Sequence, residues 1–229
     1  MFEKDFWDRL PNRIQIVISV ALQLTILALI VFLFFRQQWL SAVTGLLILL
    51  LTFAPAILAR QLSLQLPVEF TFITTVFLYA SFGLGEVRDF YYRFWWWDLM
   101  LHSFSALMIG LIGFLMIYVF YMAGRIRIPP IYIATMTLSL AVMVGTLWEI
   151  FEFSMDWFFN MDMQKSGLVD TMTDLIVNFC GASIAAILGY FYVKNGDSLV
   201  VDRMVRRFVA QNPRLLRLKR AVENKTNNR

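Results

Sequence analysis

Charge is scarce in this chain. Only 16% of its 229 residues are Asp, Glu, Lys or Arg, whereas 59% are hydrophobic, and the mean hydropathy of +0.66 lies well outside the range of an ordinary soluble domain. Cysteine occurs once, as Cys180, which excludes a disulfide framework; lying inside an apolar run, it is expected to be a small buried hydrophobe. Histidine also occurs once, as His102, which speaks against a closed structural zinc site built from several Cys and His ligands. Strand-like alternation of polar and apolar residues is missing too. Runs such as Leu46-Leu47-Ile48-Leu49-Leu50-Leu51 do not fit the alternating strands of a membrane barrel.

What remains is apolar length. A helix needs about 20 residues to cross the roughly 30 Å hydrocarbon core, and hydropathy marks six such stretches: Ile14–Phe35, Trp39–Ala59, Val68–Leu84, Leu99–Ala123, Ile131–Phe153 and Leu175–Val193. The fold class is therefore all-α, a polytopic membrane helical bundle of six transmembrane helices, with a basic amphipathic helix at the C-terminus. Residues 1–194 form one six-span membrane domain and 195–229 a basic tail. The first apolar run is too long for a signal-peptide core and has no small-residue cleavage site, so it is expected to stay as the first span.

Lys and Arg are unevenly placed between the spans. Three precede the first span, one lies at Arg60, two at Arg125 and Arg127, and ten follow from Lys194; the alternate loops hold only Arg36, Arg88, Arg93 and Lys165. The positive-inside bias puts both termini in the cytoplasm. In the tail, Leu199 to Val209 reads as an amphipathic basic helix, with Pro213, Arg214, Arg217, Lys219 and Arg220 beyond it. The formal charge of +4 comes mostly from this tail. Its expected partners are the bilayer and anionic lipid headgroups, and no nucleic acid is expected. The aromatic group from Phe90 to Trp97 is expected to anchor the chain at a lipid–water interface.

Three stretches carry the chemistry. Asp98-x-x-x-His102 opens the fourth span, Glu149-x-x-Glu152-x-x-x-Asp156 closes the fifth, and Asp170-x-x-x-Asp174-x-x-x-Asn178 opens the sixth. Spacings of three and four place these groups on one face of each helix, and alternation of span direction brings the three ends to one surface, together with Glu86 at the end of the third span. The same faces continue in small residues: Ala106, Gly110 and Gly113 after His102, Gly181, Ala185 and Gly189 after Asn178, and Gly145 and Ala141 before Glu149. Small residues let membrane helices approach closely, so these faces should point into the bundle. Nine of the 16 acids lie in this region, namely Glu86, Asp89, Asp98, Glu149, Glu152, Asp156, Asp162, Asp170 and Asp174, against Arg88, Arg93 and Lys165. Ionisable groups at membrane depth cost on the order of 2.5–3.5 kcal/mol each, so unless some carboxyls stay protonated such an excess calls for cations.

Three readings follow. In the first, Asp98, His102, Glu149, Glu152, Asp170 and Asp174 ligate a divalent metal, with Mg, Mn or Zn as candidates; Glu149, Asp174 and His102 serve catalysis, and Glu86, Asp156 and Asn178 support the ligands. Facing helices with carboxylate and histidine at these spacings are how bundle cores hold metals. In the second, the same acids form a proton or cation relay of a transporter, although the inner halves of the spans offer little beyond Gln15, Gln23 and Glu69 to continue a path. In the third, they are a non-catalytic ion-paired network that fixes helix register or binds a partner. Ser103 and Ser105 flank His102, but adjacent helical residues point apart and no nucleophile elbow is present, which disfavours a serine hydrolase.

With Gly85-Glu86, Asp98-x-x-x-His102, Glu149-x-x-Glu152, Gln164, Asp170-Thr171-x-x-Asp174 and Gly181 in this order, the chain resembles the YjdF-type family of uncharacterised bacterial inner-membrane proteins from Gly83 to Gly189. A remoter similarity, through Asp174, Asn178 and Gly181, is to VanZ-like membrane proteins, a group associated with glycopeptide-antibiotic resistance. The resemblance implies a helical membrane protein with a role in the cell envelope. Residues Met161 to Gly167 depart from the pattern of the closer family. The reaction expected under the metal reading is hydrolysis or group transfer on an envelope lipid or a phosphate-bearing substrate.

Overall fold

A computed structural model describes residues 2–61, 65, 68–122, 128–195 and 201–212. Among them every regular element is helical, and six helices are long and apolar enough to cross a membrane: Asn12–Phe35, Trp39–Gln61, Val68–Glu86, Trp97–Met122, Pro130–Phe159 and Leu168–Asn195. Their centres match the hydropathy reading, whereas the last two run further out than apolarity alone implied. The fifth continues past Phe153 to Phe159 and the sixth starts at Leu168 rather than Leu175. Charged residues end a hydropathy window, yet they do not end a helix whose backbone is capped and packed. The chain forms two compact units, Met1–Trp97 and Asp98–Arg229.

In the first unit, helix α1 (Phe2–Phe35) packs along α2 (Trp39–Leu51) and α4 (Val68–Tyr79), with α3 (Ala54–Gln61) between the latter two in the chain. Ile26, Leu33, Ala42 and Phe82 form a buried core. The second span is broken between α2 and α3 because Pro55 lacks an amide hydrogen and its ring crowds the carbonyl of Leu51. Thr52 mends the break: its hydroxyl donates to the Leu49 carbonyl at 2.7 Å and accepts from the Gln23 side-chain amide at 2.9 Å. After α4 the helix widens to a π-helix over Ala80–Glu86. There the Tyr91 ring lies where a Cβ on Gly85 would stand, and the Tyr91 and Ser81 hydroxyls are 2.9 Å apart. Asp89, at φ 59°, turns the chain into the short α5 (Phe90–Arg93). Phe90 stacks edge-on against both Phe94 and Trp97, each at 5.0 Å between ring centres.

The second unit contains α6 (Trp97–Met122, from Asp98 on), α7 (Pro130–Phe159), α8 (Leu168–Asn195) and α9 (Val201–Gln211). Pro130 at the first turn of α7 suits a position that has no hydrogen bond to lose. Ala106, Ala141 and Ala182 meet in a buried core of three helices. Gly110 faces Ala185, and a Cβ there would lie 2.6 Å from the Ala185 methyl; a Cβ on Gly181 would land on the Ser103 carbonyl oxygen. Backbones at this range bury the α6 and α8 stripes with almost no side chain between them. Cys180 corrects the sequence reading: it is exposed on α8, beside exposed Ile176, Phe179 and Ile184. In a membrane helix the lipid face is as apolar as the core face, so an apolar neighbourhood does not tell them apart.

At the other end of α8 from Asp174, α9 packs back on α8. Val205 and Phe208 are buried while Arg206 and Arg207 are exposed, so the apolar face of the expected basic helix is taken up by protein. The Arg125 and Arg127 loop, and Pro213, Arg214, Arg217, Lys219 and Arg220 of the tail, lie outside the described residues.

Candidate metal centre

His102 stands one turn into α6, four residues after Asp98, with its ring buried between α7 and α8. Its two ring nitrogens face different partners. Nε2 lies 3.6 Å from Asp98 Oδ1 and 3.8 Å from Asp174 Oδ2. Nδ1 lies 3.6 Å from Glu149 Oε1 and 3.5 Å from the Asn178 side-chain amide. Glu149 and Glu152 come from one face of α7, and Asp174 and Asn178 from one face of α8, as spacings of three and four require. One atom each from Asp98, His102 and Asp174, and one each from His102, Glu149 and Glu152, lie within 4.8 Å of one another. Each set has the size and donor types of a site for one divalent ion, which prefers oxygen ligands plus imidazole over sulfur.

The carboxylates differ in how the protein serves them. Glu152 accepts a hydrogen bond from the Trp148 indole at 2.9 Å, and Asp98 accepts one from the Lys165 ammonium at 2.8 Å. Glu149 is 3% exposed and Asp174 1%. All four of their carboxylate oxygens are buried without a close hydrogen bond from the described residues; the His102 ring nitrogens stand off at 3.6 and 3.8 Å, and the Thr171 hydroxyl interacts with Glu149. A buried carboxylate without a close donor is among the costliest groups a protein can hold. One sits on each side of the imidazole, Asp174 in the set with Asp98 and Glu149 in the set with Glu152, and a cation is a partner that either set could take.

The family is then decided by residues 18–195, which match the profile described as "Predicted membrane protein (DUF2238)". The chain belongs to the DUF2238 family. The match spans most of α1 and all of α2 to α8, so every residue of the cluster lies inside it. A Thermotoga maritima protein titled "Uncharacterized protein" is 31% identical over 123 residues, covering 51% of this chain and 58% of the relative. The chain thus matches less than two thirds of that relative's length. No solved structure matches.

This DUF2238 protein does not gather every residue marked by spacing. Asp98, His102, Glu149, Glu152, Asp174 and Asn178 meet. Asp170 sits half-buried one turn before Asp174 and belongs to neither set of close donors. Glu86 is exposed at the end of the π-helix in the first unit. Asp156 is occupied elsewhere, since its two oxygens accept the Met163 and Gln164 amides at 2.7 and 2.8 Å. It thereby pins the loop between α7 and α8, and the Gln164 side chain ties the same loop to the Thr171 hydroxyl at 2.6 Å. The spacing of Asp156 from Glu152 put it on the right face, but the loop that folds back over it has no periodicity to read. Lys165 had no ligand-like spacing at all, and only the fold brings it to Asp98.

Proposed function

We propose that the cluster of α6, α7 and α8 binds a divalent cation, with Mg, Mn and Zn as the candidates, and serves a hydrolase or transferase reaction on an envelope lipid or phosphate-bearing substrate. The observation that carries this reading is the burial of two carboxylates, Glu149 and Asp174, with no close hydrogen bond to any of their four oxygens from the described residues. Asp98 and Asp174 with the Nε2 side of His102, or Glu149 and Glu152 with its Nδ1 side, are the candidate ligand sets, with Asp170 one turn outward, and Asn178 orients the imidazole. The ion would act as a Lewis acid on a phosphoryl or carbonyl oxygen. Glu149, Asp174 and His102 are the groups nearest to such an oxygen, and a carboxylate or imidazole there is suited to proton transfer.

A relay through the membrane is less well supported. Below the cluster, α6 and α8 meet through Gly181 at Ser103 and Gly110 at Ala185, which leaves apolar, closely packed helix where a transport path would continue. A purely structural network is also less well supported, because such a network gains stability from close pairing, and here the two most buried acids share a single imidazole as cationic partner, at 3.6 and 3.8 Å.

The uneven Lys and Arg distribution supports a bacterial inner-membrane location with cytoplasmic termini and the cluster toward the outer surface. On that orientation Arg206, Arg207 and Lys194 would meet anionic headgroups of the inner leaflet. The reading is tested by incubating reconstituted protein with a lipid phosphate ester and following phosphate release. Turnover that needs a divalent ion and is lost in Glu149→Gln supports it; no turnover of lipid phosphates or other phosphate esters at any divalent ion supplied overturns the catalytic part.

A further inference from the structure

Lys165 holds a position that the loop around it is built to fix. Asp156 of α7 accepts the two amides just before it. Gln164 reaches Thr171 of α8, and the Gly167 amide closes a turn onto the Gln164 carbonyl at 3.0 Å. Gly167 has φ +62°, a conformation that glycine adopts without strain. Held from both helices, the loop lays Lys165 across to α6, where its ammonium donates to Asp98 Oδ2 at 2.8 Å. Both side chains of this pair are only 20% exposed. The other oxygen of Asp98 faces His102 Nε2, in the set completed by Asp174. One carboxylate therefore serves two cations, a fixed ammonium on one side and the candidate metal position on the other.

We infer that Lys165 is the built-in competitor of the metal at Asp98: its ion pair sets the affinity of the site for a divalent cation, and metal binding weakens its hold on the loop. This rests on the metal reading above and adds the regulation of that site. Two positive charges within a few ångströms of each other in a poorly hydrated cluster repel strongly, and electron density that Asp98 gives to one is withdrawn from the other. The competition is reciprocal, so whatever metal does to the Lys165 pair, the Lys165 pair does to metal affinity by the same factor.

The test uses full-length protein in lipid nanodiscs and Mn(II) alone as the probe, with free ion counted by electron paramagnetic resonance. Lys165→Gln is expected to bind Mn(II) about threefold to tenfold more tightly than the native protein, the range set by the strength of a half-buried ion pair. Lys165→Arg, which keeps the charge, is expected to stay near the native value. In the native protein, saturating Mn(II) is expected to raise the rate at which an amine-selective reagent labels Lys165. No Mn(II) binding by the native protein overturns both this inference and the metal reading. Native binding with equal or weaker affinity in Lys165→Gln, or labelling that ignores Mn(II), overturns the competition and leaves the metal reading standing.

Discussion

Gly181 of α8 lies against the Ser103 carbonyl of α6, one turn beyond the level at which His102 and Asn178 meet. A Cβ at this position would strike that carbonyl oxygen and crowd the Leu107 amide at 3.2 Å, and backbone cannot swing aside as a side chain does. Gly181→Val should therefore lower the stability of the purified protein by about 1–3 kcal/mol, the usual range for overpacking. Thermal unfolding in detergent, compared with Cys180→Ala as a control on the exposed face of the same helix, measures it. Equal stability in Gly181→Val and native protein would mean that α6 and α8 do not touch here.

Gly145 offers a gentler perturbation of the same region. A Cβ there would meet the Asn178 side-chain amide at 2.7 Å, the group that lies against His102 Nδ1. Gly145→Ala should displace Asn178 and weaken divalent binding roughly tenfold, as loss of a group that orients a metal ligand does. Titration with Mn(II) gives the number, and helical circular dichroism should be unchanged.

For Glu149 the two main readings predict opposite signs. If it is a buried carboxylate that waits for a cation, Glu149→Gln removes a charge for which the protein offers no close donor, and the protein stripped of metal by a chelator should gain about 1–3 kcal/mol. If it belonged to a satisfied ion-paired network, the same change would cost stability. Thermal melts in chelator and in excess divalent ion separate these outcomes, and the variant should lose the stabilisation that metal gives the native protein.

Asp156→Ala should detach the loop without removing a donor of the cluster. Two backbone hydrogen bonds are lost, each worth about 0.5–1.5 kcal/mol. Amide exchange at Met163 and Gln164 should speed up markedly while the amides of α6 stay protected. Unchanged exchange at these two amides would show that the loop is held by something other than Asp156.

How much of this was legible in the sequence follows from which physics each feature obeys. The spans were legible because about 20 apolar residues admit few other structures in a membrane. The faces of α6, α7 and α8 were legible because His102 with Asp98, Glu149 with Glu152 and Asp174 with Asn178 repeat at helical spacing, each continued along its face by small residues. The break at Thr52 was marked by Pro55, yet a proline in a membrane helix is often tolerated, so its effect depends on whether a group such as Gln23 reaches the freed positions. The π-helix at Ala80–Glu86 leaves no periodic trace. The pairing of Lys165 with Asp98 spans 67 positions, a contact that only tertiary structure creates, and for the same reason Asp156 reads as a site residue until the loop is seen to use both its oxygens.

The central claim is that one imidazole and the carboxylates around it bind a divalent ion. Elemental analysis of native protein and His102→Ala, both purified after growth with Mg, Mn and Zn supplied, tests it most directly. The account predicts about one divalent ion per native chain, lost in the variant while the helical circular dichroism persists. Native protein that carries no stoichiometric metal, and takes up none at millimolar concentration, would contradict it.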